Sequence, residues 1–305
     1  MMMTPIEKER TDKDHTKTKD AVIICACNRE LTLEELSSIY SEQSKKRVAI
    51  FIKSINETMQ KYGIDTCMRK AHFLAQIGHE SGRLQFTAEV LKKNQNENDV
   101  YDGYKGRGLI QLTYKKSYVD YGNYLGIDLT GNNKVKLESP GLATDSAGWF
   151  WTLAKSTNIN SLADANDFIA ITLKINGGLN GYNDRLLILQ KAARTIGLDV
   201  CKTLQPLREY LPDVADTALS TKEYSIVDSS EYPNARSCFA WGYWHDNSKK
   251  TSGTNKDNKN AVIGYSRFLK LTENKPYTKR AFGLAPEQMV DIANNYIKEN
   301  EKKIK

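Results

Sequence analysis

No stretch of this chain stays apolar for long. The longest apolar run is Ala21–Cys27, far short of the roughly 20 residues a membrane-crossing helix needs, so no membrane insertion is expected. The opening residues (MMMTPIEKERTDKDHTKTKD) lack the apolar core of a secretory leader. The expectation is synthesis in the cytoplasm, with any role in the periplasm or cell wall depending on non-Sec delivery. Cysteine is scarce: the 5 residues at 25, 27, 67, 201 and 238 are odd in number, irregularly spaced and include no C-x-x-C pair. That excludes a zinc ribbon or thioredoxin-type motif. Cys25 and Cys27 are too close in sequence to pair with each other, and the expectation is buried thiols, no metal and no other cofactor. The phosphate-loop pattern G-x-x-x-x-G-K-[ST] is missing as well. So is the period-2 alternation of a β-protein.

What is present is the composition of a globular protein. The 305 residues are 40% hydrophobic and 27% charged, enough for one large or two modest domains with a packed core. The net charge of +7 is not gathered into a Lys/Arg block, so no nucleic acid is expected as partner. A mildly basic surface suits an anionic polymer at least as well.

Helical patterns dominate residues 28–198. Thr32 followed by Glu35 is a capping box. A helix is expected over 44–62, with Val48, Phe51, Ile52, Ile55 and Met59 on one face, and another over 67–81, closed by Gly82 in a left-handed conformation. Residues 82–113 read as loop. Helices are expected again over 115–125, 140–154, 164–175 and 181–196, with Ser139-Pro140 as a helix opening and Asn176-Gly177-Gly178 as a break. Beyond about 202 the pattern fragments, and only 285–303 reads as a helix. The division expected is a charged disordered tail at 1–20, a catalytic domain at 21–200, and a C-terminal region at 201–305. Packing of that last region on the helical core is favoured over a role in binding partners.

Four elements carry candidate chemistry. His79-Glu80-Ser81-Gly82 closes an amphipathic helix; Arg83 stands where a zinc peptidase needs its second His. What remains is Glu80 at a helix C-terminus, where the helix dipole and partial burial should raise its pKa and suit it to general-acid work. Glu89 follows nine residues later. On one straight helix the two would lie about 13 Å apart, but the Gly82 break lets the chain return across a cleft. A gap of about 6.5–9.5 Å leaves room for a water molecule, the geometry of an inverting glycosidase. The third element is Tyr104-Lys105-Gly106-Arg107-Gly108-Leu109-Ile110-Gln111-Leu112-Thr113, where glycines allow close backbone approach to a ligand and residues 109–113 suit a short strand. The fourth is Ile175-Asn176-Gly177-Gly178-Leu179-Asn180-Gly181, followed by Asp184-Arg185.

Taken in order, the residues Ala71-His72-Phe73-Leu74-Ala75-Gln76, His79-Glu80-Ser81-Gly82, Glu89, Gly106–Thr113, Ser146-Ala147, Trp149-Phe150-Trp151 and Ile175–Gly178 resemble glycoside hydrolase family 19. This family comprises chitinases and includes many phage endolysins and bacterial cell-wall lysozymes; the resemblance covers about residues 30–198. It implies a mostly α, lysozyme-like, two-lobed domain with a substrate cleft, followed here by a C-terminal extension of uncertain fold. By the same resemblance Glu80 is the general acid, Glu89 the general base and Thr113 a holder of the attacking water. Tyr104, Gln111 and Asn176 would bind sugar, and Arg185 would pair with a cleft carboxylate. The short interval between the two Glu resembles the bacterial and phage members. Arg83 and the polar insert 92–102 depart from the commoner pattern and put subsite details in doubt.

The leading expectation is a cell-wall lytic muramidase acting on peptidoglycan, as an antibacterial effector or a phage-type endolysin. The alternatives are a chitinase and a non-catalytic glycan-binding relative. An immunity protein or a secretion-machine component would engage 201–305, and truncation near residue 200 is expected to leave catalysis intact.

Overall fold

The computed structural model describes residues 25–154, 158–201 and 221–304. The expected tail, 1–20, and most of the strand-like run 21–27 lie outside them. Among the described residues the protein is mostly helical, with isolated β-bridges and no longer strand.

Local chemistry sets the helix ends. Thr32 and Glu35 form the expected reciprocal cap of α1 (Leu33–Ile39). Ser44 caps α2 (Lys45–Lys61) by accepting the Arg47 N–H, and Thr66 caps α3 (Cys67–Glu80) through the Arg69 N–H. The α3 helix is buried almost all round, from Cys67 to Gly78; polar Lys70, His72 and Gln76 go under with it and must find partners inside. Next come α4 (Lys115–Leu125) and α5 (Pro140–Thr152), the latter opened by Ser139 and a proline at its first position. Gly148 brings α5 close to α2, since a Cβ there would sit 2.2 Å from the Tyr62 ring.

Several expectations change here. The helix expected over 164–175 starts later, as α7 (Phe168–Asn176), and is preceded by an unexpected α6 (Ile159–Asp164). Asn166 adopts φ 52° between them, and Asp167 starts α7 by accepting the Ala170 N–H. Residues 109–113 are not a strand. Arg107 and Leu112 bond to each other across a tight turn, with Gln111 at φ 56°. The expected break after α7 is made by Gly177 in the left-handed region, and α8 (Tyr182–Thr195) follows and lies along α3.

The C-terminal segment holds α9 (Ala235–His245) and α10 (Asn258–Thr272), neither expected, and α11 (Pro286–Ile304), which was. Gly264 on α10 reaches the backbone of Gly242 on α9, where a Cβ would come within 2.3 Å. This segment packs on the rest of the molecule. Trp241 stands edge-on to Tyr182 (ring centroids 5.7 Å apart), Tyr224 packs on Phe168 (5.2 Å), and Ser229 and Ser230 donate to Asp167.

The cysteines also depart from expectation. Irregular spacing argued against a metal-ligating set, but the fold draws Cys25, Cys27, Cys67 and Cys201 together until their sulfurs all lie within 4.8 Å of one another. Cys25 and Cys201 stand at disulfide distance. Cys238 lies elsewhere, buried under Tyr232.

Candidate active site

Glu80 is the last residue of α3, where the chain reverses sharply. Gly82, Arg83 and Leu84 take φ of 57°, 58° and 69° in succession, a conformation unfavourable for the latter two. Ser81 holds the reversal together: its buried hydroxyl donates to the Ile77 carbonyl (2.6 Å) and accepts the Leu84 N–H (2.8 Å). Arg83 contributes by pairing with Asp184 and Glu42. The departure from the family pattern at position 83 therefore has a structural partner on α8.

Arg185, on α8, is wholly buried and turns its guanidinium onto Glu80, as expected of it. The same group donates to Gln76 Oε1 (2.6 Å) and to the Asn180 carbonyl (3.4 Å). Gln76, one turn before Glu80 on α3, belongs to the ordered motif, which by itself assigned it no role. The negative end of the α3 dipole at Glu80 is therefore faced by a buried cation.

His79 and Asp184 lock the same junction. His79 Nδ1 lies 2.6 Å from Asp184 Oδ2. Burial and the Arg185 charge lower the imidazole's pKa, with Asp184 opposing. Burial alone would raise the Asp184 carboxyl, but Arg83 and His79 hold it below the usual range. Gly181 is required here: its φ is 71°, and a Cβ would fall 2.1 Å from the His79 ring.

Glu89 is positioned by a different element. The chain after the reversal runs antiparallel to 106–108, with Glu89 N–H donating to the Gly106 carbonyl (2.8 Å) and Gly108 N–H to the Thr87 carbonyl (2.9 Å). The Gly106 N–H in turn donates to Glu89 Oε2 (3.0 Å). Gln111 lies against the same glycine, where a Cβ would meet its Oε1 at 2.7 Å. Gln111 Nε2 donates to the Gly108 carbonyl, and Thr113 Oγ1 donates to the Gln111 carbonyl (both 2.9 Å). Glu89 with Gly106, and Gln111 with Gly108 and Thr113, thus form two hydrogen-bonded groups on adjoining residues of one turn.

Two residues of the 104–113 stretch lie inside, Tyr104 among them although it was expected to bind sugar. Arg107, between the glycines, points inward with its side chain 1% exposed, bound by Glu138 (2.7 Å), Glu97 (2.8 Å) and Tyr118 (3.1 Å). Glu97 belongs to the polar insert, so the insert fastens the turn that carries Glu89's donor. Tyr104 is buried, its ring 5.1 Å from Tyr118 and its hydroxyl accepting the Gly131 N–H (3.3 Å). A ring so enclosed supports the turn and offers a sugar little surface. Tyr101 and Tyr114 are exposed instead, edge to face at 5.0 Å. Burial, then the Glu89 charge, raises the Tyr101 phenol's pKa.

Asn176 is exposed at the end of α7, its side chain accepting the Asn180 N–H (3.3 Å). The C-terminal segment grips this loop. Arg236 donates to the Gly177 carbonyl and Thr254 to that of Leu179 (both 2.7 Å), while the Trp244 ring fills the space where Gly178 has no side chain. A cavity of about 590 Å³ between α10 and α11, lined by Leu269, Tyr277 and Val290, includes neither Glu80 nor Glu89.

The described residues thus form a mostly helical fold that holds Glu80 and Glu89 by independent elements on either side of a strained reversal. Residues 40–177 match the sequence profile described as "Chitinase class I", and this stretch belongs to glycoside hydrolase family 19. An endochitinase of Arabidopsis thaliana is 34% identical over 140 residues, covering 44% of this chain and 47% of the plant protein. A glycosyl hydrolase family 19 domain-containing protein of Haemophilus influenzae is 29% identical over 173 residues, covering 44% of this chain and 82% of that one. Among solved structures, chitinase C from Streptomyces griseus HUT6037 aligns with a TM-score of 0.43 at 22% identity, over 54% of this chain and 76% of that one. The chain spans about half the length of the plant endochitinase.

Proposed function

We propose that this protein hydrolyses β-1,4 bonds between N-acetylated amino sugars of peptidoglycan, with inversion at the anomeric carbon. The observation that carries the reading is that each carboxylate is held through one oxygen by a separate rigid element: Glu80 by buried Arg185, and Glu89 by the Gly106 N–H. A carboxyl group fixed this way keeps its second oxygen for proton transfer. In this reading Glu80 protonates the glycosidic oxygen, and Glu89 takes a proton from water attacking the opposite face of the sugar. Thr113 already donates its hydroxyl hydrogen to the Gln111 carbonyl, so its lone pairs are turned to accept from that water. Gln111 and Asn176 bind sugar hydroxyl or N-acetyl groups, and Tyr101 with Tyr114 gives an apolar face for a pyranose ring. Lysis of a bacterial wall, as effector or endolysin, is the biological role this substrate implies.

A second reading, chitin hydrolysis, is favoured by the name of the plant relative, an endochitinase. Mass spectrometry of soluble products from purified peptidoglycan and from chitin oligomers, with Glu80→Gln as control, separates the two. Peptidoglycan fragments ending in reducing N-acetylmuramic acid are expected, and they should disappear with the variant. Chitin fragments alone would transfer the protein to the second reading. Glu89→Gln is expected to lose activity by several orders of magnitude with an unchanged thermal midpoint; near-normal turnover would mean that water is activated elsewhere.

A further inference from the structure

We propose that Cys25, Cys27, Cys67 and Cys201 together bind one zinc ion, which fastens the start and end of the catalytic segment to the N-terminus of α3. The four come from three separate pieces of chain: the stretch 25–27, the first residue of α3, and the turn after α8, where Cys201 N–H donates to the Leu198 carbonyl. Their sulfurs are 2.9 Å apart for Cys25 and Cys67, 3.0 Å for Cys27 and Cys67, 3.2 Å for Cys27 and Cys201, and 3.7 Å for Cys67 and Cys201. No pair exceeds 4.8 Å. Four thiolates about 2.3 Å from a tetrahedral zinc lie about 3.8 Å from one another. The ion therefore fits with sulfur movements smaller than a bond length. An all-sulfur tetrahedral donor set selects a soft or borderline metal and disfavours magnesium or calcium.

The surroundings suit a charged metal–thiolate centre. The Cys67 N–H donates to Cys27 Sγ (3.0 Å) and the Cys27 N–H to Cys25 Sγ (3.5 Å); amide donors aimed at sulfur disperse thiolate charge. Cys67 occupies the first position of a long helix, where the dipole favours an anion. Four thiolates and a divalent ion leave two net negative charges, and two cations stand beside them. Lys70, 4% exposed, donates to the carbonyls of Ala26 and Arg29. Arg29 donates to the Cys25 carbonyl (3.2 Å) while also pairing with Glu35. A Cys25–Cys201 disulfide would employ only two of the four sulfurs that the fold draws together. Zinc employs all four, its binding releasing the thiol protons to solvent.

The test uses the full chain, purified under reducing agent without added metal. Elemental and native mass spectrometry are expected to find one zinc per chain. Cobalt(II) should replace it with the thiolate-to-metal charge-transfer and visible bands of tetrahedral sulfur coordination. Cys67→Ser and Cys201→Ser should lose the metal, and Cys238→Ser should keep it. Chelator plus reductant should lower the thermal midpoint of the wild type, a reading that stands even if the Ser variants do not fold. A reduced chain that takes up neither zinc nor cobalt would overturn the proposal. So would a Cys25–Cys201 disulfide found by peptide mapping of that preparation, or bound iron with sulfide in place of zinc.

Discussion

His72 is sealed in the core, and its Nε2 lies 2.9 Å from Asn166 Oδ1. That oxygen also accepts the Tyr224 hydroxyl (2.7 Å), so Nε2 carries the imidazole's proton and Nδ1 is left buried without a partner. Protonating Nδ1 would bury an uncompensated charge. Burial accordingly lowers the His72 pKa from 6.5 to about 4, a shift corresponding to about 3 kcal/mol. The unfolded chain takes up this proton at higher pH than the folded one. Stability should therefore fall as pH drops from about 6.5 to about 4, with no further contribution from His72 below that. In His72→Gln this part of the slope should vanish, as denaturant midpoints of the two proteins across that range would show; parallel slopes would place the proton elsewhere. At this scale the ordered motifs picked out Glu80, Glu89 and Arg185 as candidates, and the fold sets Arg185 against Glu80. The bond between Gln76 and Arg185 and the gathering of the cysteines were not legible, because partners more than a hundred residues away leave no trace in local spacing.

Among the elements, the turn 107–112 depends on a glycine more than on any side chain it displays. Gly108 has φ 78°, and a Cβ would lie 2.4 Å from Ser146 Oγ and 3.2 Å from the Ala143 carbonyl. Gly108→Ala is expected to cost about 1–3 kcal/mol and to lower turnover too, since the same turn supplies the Gly106 donor to Glu89. Gly141→Ala, with open space around it in the first turn of α5, should instead stabilise by about 0.5–1 kcal/mol. Urea titration of both variants checks the contrast, and equal effects would remove the steric argument. Capped amphipathic helices such as α2 were legible because start signal and period agree. The α9 helix was not: Ser237 to Gly242 are buried all round, and a helix with no polar face has no period to read. Residues 109–113 misled through an alternation that a turn can also produce.

For the whole molecule, the C-terminal segment is more than an appendage. It covers Phe168, Leu179 and Tyr182, which belong to the catalytic side of the chain. A chain ending at residue 201 is therefore expected to aggregate or melt well below the full protein, contrary to the expectation from sequence that truncation spares catalysis. A fragment with unchanged thermal midpoint and turnover on soluble oligomers would show that the interface contributes nothing. Composition and motifs could not settle this, because docking of one segment on another is written in pairs of residues far apart. The sulfur cluster has a mechanical meaning as well. Cys25 and Cys201 stand 176 positions apart in sequence and 5.2 Å apart at Cα. Once they are joined, through a shared ion or directly, tension applied to the two ends of the chain runs across the link. The catalytic helices between them, about 600 Å of extended chain, carry none of the load.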